Sequence, residues 1–157
     1  MPVLAVYREA RRDEAIARLR RFLALRALVA TGRSQQQIAD ALGVSQPAVS
    51  QQLKSARELD TVDPEVLLEA AGPVLTALAV EHGYSRLAVF GSLARQEATP
   101  DSDIDLLVEV PEGTSTFGFL RFRQLIEKVL GREVDLVSYG GLKPGLDDDI
   151  RGEAVLL

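Results

Sequence analysis

The sequence predicts an α+β fold in two parts: an all-α unit over residues 1–60 and, over 61–157, a small mixed sheet flanked by helices. Three observations carry this. Apolar residues at helical spacing, set among good helix formers, fill the first part. Short apolar runs bounded by turn residues mark strands in the second, at Leu87–Phe90, Ile104–Val110 and residues 133–138. Charge is also divided: residues 1–60 carry ten Lys/Arg against six Asp/Glu, whereas 61–157 carry eight against seventeen. The halves therefore suit different partners, a polyanion for the first and cation-dependent chemistry for the second.

The 157 residues, with a net charge of -5 and 46% hydrophobic content, fit a soluble globular protein. The absence of cysteine excludes a disulfide frame and a thiolate zinc site. No apolar run approaches the length of a membrane span, and the arginine-rich N-terminus lacks a signal-peptide pattern. The expectation is a cytoplasmic chain with no membrane partner.

Residues 8–30 form an amphipathic helix with Ile16, Leu19, Leu23 and Leu28 among its apolar positions, ended by Thr31-Gly32. Ser34 caps a second helix that runs to Leu42. Ser45 caps a third, with Pro47 in its first turn, where a missing amide hydrogen costs nothing. Ile38-Ala39, Leu42-Gly43-Val44, Val49 and Leu53 place small and apolar residues where two crossing helices touch, and glycine at the turn between them. This pattern is similar to a helix-turn-helix of the phage-repressor type. In such a unit Ser45, Gln46, Ser50 and Gln51 lie early on the recognition helix. Gln46 in particular offers a bidentate partner for adenine. Arg33, Lys54 and Arg57 suit phosphates. The partner expected for residues 1–60 is duplex DNA, the alternative being a packed three-helix domain that contacts protein, and a homodimer is compatible with either.

Asp63-Pro64 reads as the cap and first residue of a helix that Gly72-Pro73 breaks or kinks, with a further helix from Pro73 to about Glu81, stopped by Gly83. His82, the only histidine, belongs to that helix end. Phe117–Leu130 is helical, with Phe119, Phe122, Leu125, Ile126 and Val129 on or near one core-facing side and Arg121, Arg123 and Lys128 among them. Leu146–Arg151 is a short helix whose Asp147, Asp148 and Asp149 suit its N-terminal dipole. Ala154–Leu157 is an apolar tail.

The chemistry centres on Gly91 to Asp105, GSLARQEATPDSDID. One strand ends in a Gly-Ser turn and the next begins at Ile104. Alternation along that strand puts Asp103 and Asp105 on one side and Ile104, Leu106 and Val108 on the other. Paired carboxylates repel unless a hard cation such as magnesium lies between them, a cation that takes oxygen ligands and completes its shell with substrate phosphates. Asp135, framed by apolar neighbours on a later strand, offers a third acid. Three acids suit two metal ions.

Gly91-Ser92, a ten-residue gap, Asp103-Ile104-Asp105 and then Asp135 together resemble the DNA polymerase beta-like nucleotidyltransferases, and within them the minimal nucleotidyltransferases (MNT). The resemblance spans roughly Pro73 to the C-terminus. It implies that Gly91, Ser92 and the turn amides bind the terminal phosphates of a nucleotide, that Asp103 and Asp105 bind metal, and that Asp135 joins them and helps activate the attacking hydroxyl. It also implies Mg2+ as cofactor, ATP as substrate, and an antitoxin that adenylylates a HEPN-domain toxin while binding its own operator. Similar chains carry glycine where Gln96 stands, so the loop after the turn is expected to close differently here. Two other functions remain open: a catalytically silent DNA-binding repressor or toxin-masking module, and a nucleotidyltransferase for an aminoglycoside-like small molecule.

Overall fold

Helix α1 runs unbroken over Pro2–Ala30 in the computed structural model, which describes residues 1–54 and 59–157. It starts six residues before the periodicity suggests, because Pro2 at the first helical position has no amide to leave unpaired. Residues 1–15 are exposed throughout. Beyond them the helix buries two faces. Ile16, Leu23 and Ala27 join the main core, while Leu25, with half-buried Leu28, packs on Ile38, Ala39 and Val49.

Those last residues belong to α2 (Gln35–Leu42) and α3 (Gln46–Lys54). Ser34 and Gln37 close a full capping box at the start of α2. Gly43 ends it at φ 70°, a left-handed turn that glycine adopts without strain. The Ser45 hydroxyl accepts the Ala48 amide at 3.2 Å and so caps α3. Arg57, expected at a phosphate, and Glu58, where the acidic stretch begins, lie outside the described residues.

Helix α4 spans Pro64–Glu81 in one piece, so the break expected at Gly72-Pro73 does not occur. A proline within a helix leaves the carbonyl four residues back without its donor. Here that carbonyl, on Glu69, accepts Arg20 Nη2 at 3.0 Å, and the Ala70 carbonyl accepts Arg20 Nε at 3.0 Å. A side chain from α1 thus replaces the bond the proline removes. Two other arginines tie the first sixty residues to the rest. Arg26 Nε donates to the Lys128 and Val129 carbonyls, and Arg132 donates to those of Leu59, Asp60 and Val62.

Strands β1 (Ser85–Phe90), β2 (Ile104–Glu109), β3 (Val134–Ser138) and β4 (Val155–Leu156) form one sheet in the order β3-β2-β1-β4. β1 is antiparallel to β2 and β4, and β2 is parallel to β3. The C-terminal tail is therefore a fourth strand. Two residues are too short to show periodicity, and pairing with β1 makes the strand, helped by the Leu157 amide on the Leu87 carbonyl at 3.0 Å.

The sheet has one covered and one thinly covered face. Ile104, Leu106 and Val108 pack with α1, α4 and α5 (Thr116–Leu130) in the main core. Ala88, Phe90 and Leu107 point the other way and cluster with Tyr139, Leu142 and partly buried neighbours, among them Ile150 of α6 (Asp148–Glu153). Among the described residues, no helix is long and apolar enough to cross a membrane.

Candidate active site

Alternation settles which face carries the acids. Asp105 lies between Ile104 and Leu106, so it projects from the thinly covered face, as Leu107 does. The register sets Asp105 opposite Phe90 on β1 and opposite Asp135 on β3. Cross-strand partners share a face, which brings Asp105 and Asp135 side by side at the end of the sheet where β1 runs into its turn. Asp103 comes just before β2 and is exposed, as is Asp135, while Asp105 is half-buried.

Gly91 ends β1 at φ 72°, and a Cβ added there would stand 2.2 Å from Asp105 Oδ2. Glycine is required on both counts: for the left-handed angle and for the space that the carboxylate fills. From Gly91 the chain makes a single helical turn. The Arg95 amide donates to the Gly91 carbonyl at 3.1 Å, Gln96 to Leu93 at 3.3 Å, and Glu97 to Ser92 at 2.9 Å. The last two bonds are those of a Schellman closure around a left-handed residue, and that residue is Gln96, at φ 58°. The loop thus closes as a glycine there would close it, contrary to expectation, and the glutamine carries the conformational cost. The amides of Ser92, Leu93 and Ala94 open this turn, where amides have no intrahelical acceptor.

The electrostatics follow from the packing. Burial, then the charges of Asp135 and Asp103, hold the Asp105 carboxyl above the usual carboxylate range, with Arg95 opposing them. Neighbouring carboxylates of this kind would suit a hard divalent cation. Among the described residues, no three carboxylate, thiolate or imidazole side chains are grouped so that they could hold a metal ion between them.

One residue of this neighbourhood has no signal in the sequence motif. Glu153, at the end of α6, accepts the Gly91 amide on Oε1 at 2.9 Å and Arg95 Nη1 on Oε2 at 2.9 Å. Those two bonds, the amide first, hold its carboxyl below the usual range. It lies 62 residues from Gly91 in sequence and is brought close by the β1/β4 pairing. Its isolated position in Arg151-Gly152-Glu153 gives no spacing to recognise.

Residues 74–157, just over half of the chain, match the family described as Nucleotidyltransferase domain. The chain belongs to that nucleotidyltransferase family. It is 46% identical over 76 residues to a provisionally named protein adenylyltransferase of Methanocaldococcus jannaschii, an alignment covering 48% of this chain and 82% of the relative. It is 38% identical over 92 residues to the protein adenylyltransferase MntA of Thermococcus cleftensis, covering 56% and 93%. A solved structure provisionally described as a minimal nucleotidyltransferase superposes with a TM-score of 0.53 at 40% identity, covering 66% of this chain and 99% of that one.

The remaining expected residues of the nucleotidyltransferase fall into clear places. Arg121, Arg123 and Lys128 ride on α5, on the covered face, and so do not border the acids; Arg123 pairs with Glu127 at 3.1 Å. Asp147 accepts the Lys143 amide and Asp148 the Gly145 amide, so these acids tie the loop ahead of α6. His82 Nδ1 lies 2.9 Å from the Leu78 carbonyl at the end of α4. On the other unit, Arg33, Gln51 and Lys54 are exposed and Ser50 is half-buried. Gln46 Nε2 donates to Gln35 Oε1 at 2.7 Å, which orients the Gln46 amide and leaves its oxygen and one N–H for another partner.

Proposed function

We propose that the enzyme transfers AMP from ATP to a hydroxyl of a partner protein, a HEPN-type toxin, in a Mg2+-dependent reaction, and that it acts as the antitoxin. The observation that carries this reading is the Asp105–Asp135 register beside the Gly91 turn. It places carboxylates next to an amide-lined bend on the thinly covered face of the sheet. The relatives named protein adenylyltransferases support a protein acceptor. In this reading Ser92 and the leading amides of the turn seat the terminal phosphates, and Asp103, Asp105 and Asp135 hold magnesium, one ion or two. Magnesium, when bound, neutralises the phosphates and lowers the barrier to pyrophosphate departure. Asp135 orients the acceptor hydroxyl and takes its proton as the new oxygen–phosphorus bond forms and the bond to pyrophosphate breaks. Alignment of this kind contributes several kcal/mol, on the order of the effective-molarity gains seen when reactants are held in line.

Residues 1–60 are proposed as the operator-reading unit and 61–157 as the catalytic unit, in a cytoplasmic protein that pairs as a homodimer on DNA. Support comes from the capping box at Ser34, the left-handed Gly43 turn and the Gln35–Gln46 bond, which presents a glutamine pre-oriented for a base edge. Arg33 and Lys54 are assigned to phosphates, and Ser45, Ser50 and Gln51 to the early turns of the reading helix.

The deciding experiment mixes the purified chain with magnesium, labelled ATP and the product of the neighbouring gene. Label on that protein is expected; label on an aminoglycoside or an RNA end instead would overturn the acceptor assignment. Anisotropy titration against upstream promoter DNA and random DNA tests the second unit. Equal affinity for the two at moderate salt would count against operator reading.

A further inference from the structure

A carboxylate beside a phosphate site is electrostatically unwelcome, yet Glu153 grips both the first amide of the Gly-Ser turn and the nearest cation. The two bonds come from one rigid source. Glu153 ends α6, two residues before the start of β4, whose Val155 pairs with Val89. Its side chain is 23% exposed, against 47% for the arginine it holds. An arginine on a surface turn would otherwise sample many rotamers and lose that freedom on binding a ligand. Here Nη1 is fixed by Glu153 and Nε by Glu97 at 3.2 Å. Arg95 lies close enough to Asp105 to oppose the repulsion of the neighbouring acids. Guanidinium has five N–H donors, so a fixed Arg95 keeps donors for an incoming oxyanion.

We propose that Glu153 is a positioning residue for the triphosphate of the nucleotide: it locks the Gly91 turn and holds the Arg95 guanidinium on the acid side of that turn. The role rests on the nucleotidyl-transfer reading above. Glu153 touches no substrate in this scheme and acts through Arg95 and the Gly91 turn. The cost of its negative charge is offset because Arg95 is pre-ordered before the nucleotide arrives.

The test is a cycle of Glu153→Ala, Glu153→Gln, Arg95→Ala and the Glu153→Ala/Arg95→Ala pair in the full chain. It is read by titration with a non-hydrolysable ATP analogue and magnesium, by steady-state kinetics and by melting temperature. Glu153→Ala is expected to weaken analogue binding and raise KM for ATP about tenfold, the loss of one charge-assisted contact. It should change kcat at saturating ATP much less. Glu153→Gln, which keeps an acceptor for the Gly91 amide but not the charge, should fall between. In the Arg95→Ala background Glu153→Ala should cost clearly less than in the unaltered chain, because only the bond to the Gly91 amide is left to lose. Unchanged or tighter analogue binding by Glu153→Ala would overturn the inference, the tighter case meaning that the carboxylate competes with the triphosphate. An equal loss with and without Arg95 would also overturn it, as would a fall in melting temperature with binding unaltered. If the unaltered chain binds no analogue, the nucleotide reading itself fails and this role fails with it.

Discussion

Asp105 occupies the space of a side chain that Gly91 lacks: its Oδ2 lies 2.2 Å from where a Cβ on residue 91 would stand. Gly91→Ala must therefore push the carboxylate away while forcing alanine to φ 72°. The expected cost is about 2–4 kcal/mol, from the left-handed strain and the overpacking together. Urea unfolding measures that cost. Nucleotidyl transfer should be lost even at temperatures where the variant remains folded.

Removing the charge at Asp105 should abolish transfer and stabilise the metal-free chain. Its folded carboxyl titrates above the ordinary value. The folded state therefore binds this proton more tightly than the unfolded state, and the site makes stability fall as pH rises through that interval. The cost is fully present above the folded pKa and absent below the unfolded value of about 3.9. Asp105→Asn should melt higher than the unaltered chain at neutral pH without magnesium, and the difference should vanish in acid. Added magnesium should raise the melting temperature of the unaltered chain only.

Gln96→Gly should stabilise the fold by about 0.5–1 kcal/mol, because glycine takes the left-handed closure of the Gly91–Glu97 turn without strain. For a chain of this size that is a rise in melting temperature of roughly 1–4 °C. Transfer rates should change little, since the Gln96 side chain is exposed. A fall in melting temperature would show that the glutamine side chain itself contributes.

Arg20→Ala should cost about 1 kcal/mol by stripping the donors from the Glu69 and Ala70 carbonyls, which are partly exposed. Pro73→Ala restores an amide for Glu69, so the Arg20→Ala penalty should shrink in that background. Thermal denaturation of the four-member cycle measures the coupling, and strict additivity would mean that Arg20 does not act through the proline.

Most of the candidate site was legible in the sequence because its signals are local. Gly91-Ser92 and the Asp103/Asp105 alternation lie within one strand-turn-strand, and the register that adds Asp135 follows once β2 and β3 lie parallel. What escaped depends on contacts across the chain. The continuity of α4 rests on Arg20, about fifty residues away. The two-residue β4 is defined only by its partner, and Glu153 is recruited through it. The closure at Gln96 departs from the residue-type expectation for another reason: a preference worth about 1 kcal/mol yields to a turn fixed by its flanking hydrogen bonds.

Along α1, the residues facing the catalytic core and those facing α2 and α3 interleave. Leu23 and Ala27 turn one way, Leu25 and Leu28 the other, all within two turns of helix. A one-residue insertion rotates everything beyond it by about 100°, so no point in that span can be lengthened without unseating one side or the other. The two halves are keyed together rather than strung on a tether. Under the operator binding proposed above, a duplex on α3 would therefore fix the compass bearing of the acid-bearing face.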